Sequence, residues 1–133
     1  MIAVAESFSI DRILAGWPDI APASINTWAK RENAWRRVGA DLALAKSWLP
    51  LMGYVEVRNA LQHGLGRLTD QQFSRRDQTL RRLVACGVRL NGDRLFVTDK
   101  DVDRCYRVCR EFVAFADESA ASARAAAPFS PEQ

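Results

Sequence analysis

The sequence predicts an all-α fold, an up-and-down bundle of about five helices with one small β-hairpin, at about residues 88–97, before the last helix. Three observations predict it. Apolar residues recur at helical spacing, glycine or proline stands between most of the segments, and one Asn-Gly pair sits between two short apolar runs.

The first helix is expected from about Ser9 to Gly16, where Ile10, Ile13, Leu14 and Trp17 follow the i, i+3, i+4, i+7 rule. Pro18 and Pro22 then break the chain into a short linker. Ser24 is placed to N-cap the longest helix, expected to reach about Trp48. Trp28, Trp35, Val38, Leu42, Ala45 and Leu49 stand seven, three, four, three and four residues apart, a nearly heptad stripe that suits a helix lying along another helix. Lys30, Arg31, Glu32 and Asn33 fill much of the opposite face, and Trp28, Trp35 and Trp48 read as core or interface.

The third helix is expected from Leu51 to about His63, ended by Gly64 and Gly66. Thr69 with Gln72 is a capping-box pattern that opens a fourth helix, with Phe73, Leu80, Leu83 and Val84 as its buried side and its arginines outward. Gly87 stops it. Val88 to Leu90 and Arg94 to Val97 then read as two strands around Asn91–Gly92, a hairpin that must lean on the helices because alone it is marginal. Thr98 or Asp99 caps the last helix, with a stripe of Val102, Cys105, Tyr106, Cys109, Phe112, Val113 and Ala116. The alanines, serines and two prolines from Ser119 onward suggest a disordered tail over 119–133, leaving one domain over 1–118.

At 133 residues and 48% apolar, the chain is long enough for one globular core and too apolar to be disordered throughout. No run approaches the roughly 18 apolar residues of a membrane span. Glu6 and Asp11 stand where a secretory signal needs a basic start and an unbroken apolar stretch, so a cytoplasmic location is expected. Cys86, Cys105 and Cys109 are odd in number, and the last two lie one helical turn apart on a predicted buried face. They read as small core hydrophobes, without a disulfide framework. A zinc site made by these cysteines with His63 is disfavoured, because no C-x2-C pair exists. No metal or cofactor is expected.

Charge is unevenly spread over the net +3. From Arg58 to Thr98 there are eight arginines against three acids, which suits an anionic partner; the plainer reading is a chain rich in arginine with only three lysines.

The third helix carries the residues that suggest chemistry. At 100° per residue, Tyr54, Val57, Leu61 and Leu65 fall on one arc, expected to face the core. Glu56, Arg58, Asn59, Gln62 and His63 fall on the other, together with Met52 and Val55. Such a mixed face suits a protein–protein interface or a pocket lined by polar groups. His63 is the only histidine in the chain, and Arg58 stands five residues before it, about 140° around the helix, near enough for a long side chain to converge on it at the helix end. Histidine can take the proton of an RNA 2′-hydroxyl or return one to the leaving oxygen, and a guanidinium can hold the phosphate. No metal is needed, because RNA supplies its own nucleophile.

Arg58-Asn59-Ala60-Leu61-Gln62-His63 resembles the R-x4–6-H motif of the HEPN superfamily, including the polar residue after the arginine and the setting late in a helix before a glycine turn. The resemblance implies a helical bundle, a homodimer that brings two motifs into one cleft, and metal-independent endoribonuclease activity, as in toxins or antiphage-defence effectors. It makes Arg58, His63 and Asn59 the catalytic set, and allows an antitoxin or a nucleotidyltransferase as a partner. Arg67, Arg75 and Arg76 are the candidate RNA contacts, and Met52 and Val55 the candidate dimer contacts. The hairpin departs from the minimal bundle of that superfamily.

Plainer readings stand beside this one. His63 before Gly64 is also a favourable C-terminal charge for a helix, worth about 0.3–1 kcal/mol, and Arg58 could pair with Glu56 or with an acid elsewhere in the chain. A HEPN-like module that only dimerises or binds a partner is the alternative function. A DNA-binding protein with the hairpin as a wing ranks last, since no helix-turn-helix pair precedes the hairpin.

Overall fold

The computed structural model describes residues 1–126, and of Pro22 and Ser24 the backbone alone. Six α-helices and one hairpin make up the described chain: α1 (Ile2–Gly16), α2 (Trp28–Arg37), α3 (Trp48–His63), α4 (Asp70–Ser74), α5 (Arg76–Cys86), β1 (Arg89–Asn91), β2 (Arg94–Phe96) and α6 (Asp99–Ala126). The all-α bundle with its hairpin before the last helix is the architecture the sequence predicts. No helix of the described residues is long and apolar enough to cross a membrane.

α1 starts at Ile2, seven residues before the predicted start at Ser9. α1 packs against α6, and its first turns bury small side chains, Ala5 and Ser9, that carry little periodic signal; both are fully buried. The long second helix does not form as one piece. Thr27, not Ser24, caps α2, its hydroxyl accepting from the Lys30 N–H at 3.1 Å. The chain leaves the helix after Arg37 through Gly39, at φ +97, where a side chain would be strained, and reaches α3 by a 3₁₀ turn at Leu42–Leu44. Trp35, Leu42 and Ala45 are buried on both sides of this break. The stripe therefore reported burial, and burial continued where the helix did not. Pro50 falls in the first turn of α3, where a missing N–H costs nothing.

α3 is the central helix, lying against α5 along much of its length and against α6 and α1 on other sides. It is buried all round from Leu51 to Val57. The predicted core arc holds for Tyr54 and Val57 but fails at its end, where Leu61 is 51% and Leu65 92% exposed. The opposite arc is buried as well, with Met52 at 3%, Val55 at 8% and Glu56 at 2%. Met52 and Val55 thus belong to the subunit's own core, which removes the exposed apolar seam assigned to them. Gly53 lets α3 and α5 approach closely, since a Cβ there would run into the Arg82 carbonyl and the Cys86 side chain.

The predicted fourth helix is two. Thr69 and Gln72 form the capping box, with the Thr69 hydroxyl accepting from the Gln72 N–H at 3.1 Å and Gln72 Oε1 accepting from the Thr69 N–H at 3.0 Å. The helix then breaks at Arg75, at φ −122 and ψ 42. The break turns polar residues inward. Gln72, Thr79, Leu83 and Cys86 are buried, whereas Phe73 and Val84, expected inside, are exposed. The Thr79 hydroxyl satisfies itself by donating to the Gln72 carbonyl at 3.3 Å.

The hairpin pairs Leu90 with Leu95 in antiparallel register. It leans on the turn after α3, where the Leu68 N–H donates to the Asp93 carbonyl and the Leu95 N–H to the Gly66 carbonyl, both at 2.8 Å. The stripe of α6 holds at Cys105, Cys109, Phe112 and Ala116, while Val102 and Tyr106 are exposed. Trp28, Trp48 and Phe112 form one aromatic cluster, with ring centroids 5.8–6.2 Å apart. Residues 119–126, assigned to a disordered tail, continue α6, with Ala120 buried and Arg124 donating to the Gly16 carbonyl at 2.7 Å. The rest of that assigned tail, 127–133, lies outside the described residues.

Candidate functional site

The mixed face of α3 opens onto two adjoining cavities. Met52, Val55, Glu56, Arg58 and Asn59 line the first, of ≈ 500 Å³, which α1, α2 and α5 complete. Asn59 and His63 line the second, of ≈ 700 Å³, which the α3–α4 turn and the hairpin complete. Asn59 and Arg75 border both.

Ion pairs wall the first cavity. Arg58 is bound by Glu6 of α1, whose Oε1 also accepts from Trp28 Nε1 at 3.3 Å. Arg31 is 6% exposed, donates from Nε to the Ile25 carbonyl at 2.8 Å, and lies 5.0 Å over the Trp28 ring. Burial holds its pKa below the usual guanidinium value; Glu6 opposes that shift and the nearby Arg58 adds to it. Glu56 accepts from Arg82 Nη1 at 2.7 Å and from Gln72 Nε2 at 3.1 Å. Among the described residues, two buried side-chain donors have no partner, Arg31 Nη1 and Arg58 Nε.

The second cavity is open. His63 is exposed at the last position of α3. Arg67, Asp70, Arg75 and Asp93 line the same cavity, and Arg67 Nη1 pairs with Asp93 Oδ1 at 2.8 Å. This arginine owes its place to the hairpin, which holds the α3–α4 turn through the two backbone bonds given above and through an isolated bridge between Arg67 and Arg94.

Arg58 and His63 therefore do not share a cavity. Five residues of helix turn them about 140° apart, and Glu6 draws the Arg58 head toward α1. Asn59 stands between the two sites. Arg75 sits on their common rim. Arg76 lies 5.7 Å over the exposed Phe73 ring and borders neither.

Glu6, Arg31, Gln72 and Arg82 escape a reading by motif. One signal points to two of them, Gln72 and Arg82. Glu56 lies inside the apolar stretch Leu51–Val57, and a carboxylate on a central helix needs a cation and donors around it. That need is legible, but Arg82 and Gln72 become its partners only through the fold. Glu56 is not the partner of Arg58.

The thiols are buried and free. Burial pushes Cys86 up, and Cys109 is raised by its contact with Cys105 and by burial, which disfavours thiolate chemistry at both. No group of three or more His, Cys, Asp or Glu residues is placed to hold a metal ion among the described residues. No family model, characterised protein or solved structure matches the chain.

Proposed function

We propose that the chain is a HEPN-like helical domain that cleaves RNA without a metal, with His63 as the proton-transfer group. The observation that supports this best is the setting of His63: a lone, solvent-open imidazole at a helix end, in a polar groove that also holds Asn59, Arg67 and Arg75. The imidazole takes the 2′-hydroxyl proton, the 2′-oxygen bonds to phosphorus, and the bond from phosphorus to the 5′-oxygen breaks. The imidazolium returns the proton to that leaving oxygen. Arg67 and Arg75 contact the phosphates flanking the cut, because Glu6 occupies the Arg58 head. Arg58 supports the groove from the other side of Asn59. A toxin or antiphage-defence role, in the cytoplasm, belongs to the same reading.

Pairing of two subunits is part of it. With Met52 and Val55 buried, the exposed apolar side chain lining the groove is Phe73, and Leu65 stands exposed in the turn between Gly64 and Gly66 beside it. These supply the seam, and light scattering should report about twice the 14.9 kDa chain mass. RNA incubated with the chain in EDTA should yield 2′,3′-cyclic phosphate and 5′-hydroxyl ends. Cleavage that stops with chelator and returns with magnesium contradicts the mechanism.

A second reading, a non-catalytic binding module, is favoured by one observation. The arginine of the motif is engaged by Glu6 in a cavity that His63 does not line. Tight RNA binding with no strand cut in either condition would support it.

A further inference from the structure

We propose that the cavity bounded by α1, α2 and α3 is a binding site for a small phosphate-bearing anion, held between Arg31 and Arg58 in competition with Glu6. Both guanidiniums line this cavity; Glu6 pairs with Arg58 and reaches Arg31 only through its charge, and each arginine keeps one buried nitrogen without an acceptor. Buried donors are almost always satisfied, and leaving a charged one unsatisfied is costly. Two such donors on neighbouring cations, lining one cavity, point to an acceptor that bridges them.

The charge count agrees. Four arginines and three glutamates line the cavity. Glu56 is taken by Arg82 and Gln72, and Glu32 lies 3.9 Å from Arg36, which does not line it. Glu6 alone remains for Arg31, Arg58 and the rim residue Arg75. The first turn of α2, a helix of ten residues, also opens here through Trp28 and Ala29, adding the positive end of its dipole. Met52 and Val55 add two apolar side chains to an otherwise largely polar lining.

A phosphate suits the site better than a second carboxylate does. Glu6 already supplies a planar pair of oxygens and leaves Arg31 Nη1 and Arg58 Nε unmatched. A tetrahedral group offers oxygens to both guanidiniums and to the helix end at once. The inference does not rest on RNA cleavage, because the cavity lies across Asn59 from His63.

Isothermal titration of the full chain with inorganic phosphate, and separately with adenosine 5′-monophosphate, tests it without RNA present. One equivalent of either should bind saturably at low ionic strength. Tighter binding of the nucleotide identifies a phosphate ester as the ligand, and equal binding identifies the free ion. Arg31→Lys keeps the charge but loses the fork, and should weaken binding about tenfold or more. Glu6→Gln removes the internal competitor and should tighten binding, again by about tenfold. Circular dichroism verifies that each variant keeps its helices. The proposal is overturned if the wild-type chain binds neither probe, if Arg31→Lys binds unchanged, or if a folded Glu6→Gln binds more weakly. It is overturned equally if only an RNA oligonucleotide binds and Arg31→Lys abolishes that binding.

Discussion

The cavity at Arg58 and the groove at His63 are built from the same helix, yet they differ in nearly every physical respect. The first is walled by charges that other elements answer in large part, Glu6 for Arg58, Arg82 and Gln72 for Glu56, with Arg31 Nη1 and Arg58 Nε left over. The second holds an exposed imidazole, an exposed ion pair and an exposed arginine, Arg75, that reaches only Gln78 one turn along. The difference follows from depth along α3. Its middle is enclosed by other helices, so polar side chains there need fixed partners; its end projects past them, and water serves instead. A two-residue motif that spans this boundary falls into two environments.

The comparison is sharpest in stability. Arg82→Ala strands the buried Glu56 carboxylate and should cost about 3–5 kcal/mol in chemical denaturation. Arg67→Ala removes the exposed pair with Asp93 and should cost at most about 1 kcal/mol. Equal costs would mean that the two cavities are not different in kind.

Apolar truncation should divide along the same line. Leu51→Ala empties a fully buried position and should cost about 2–5 kcal/mol. Leu61→Ala, ten residues further along and half exposed, should stay within about 0.5 kcal/mol. A large loss at Leu61 would place the groove end of α3 inside a core.

The smallest effect is expected in the turn. Leu65 holds φ +54 while almost wholly exposed, an unfavourable conformation for a leucine that gains no burial in the subunit. Leu65→Gly should raise the stability of the isolated subunit by about 0.5–1 kcal/mol. If two subunits pair through this turn, the same change should weaken pairing, so light scattering and thermal melting should move in opposite directions.

The order of helices, the hairpin at Asn91–Gly92 and the Thr69–Gln72 capping box were legible because each depends on residues close in sequence. The split of the second helix at Gly39 was not, since the apolar stripe ran on across the break. The α4–α5 break hid for a related reason. Its inward residues, Gln72 and Thr79, are polar, and their burial makes sense only beside Glu56. For the site, the exposure of His63 at a helix end before a glycine was readable from the chain, whereas the pairing of Arg58 joins residues 52 positions apart and exists only in the folded bundle.

The central claim is that His63, in its open groove, does the chemistry while the neighbouring ionic cavity holds the fold. Strand cleavage by wild type and His63→Ala in EDTA, with the melting midpoint of each, tests it most directly. The account predicts that wild type cuts RNA, that His63→Ala cuts less than about one hundredth as fast, and that the two melt together. A folded His63→Ala protein that cuts at the wild-type rate would contradict it.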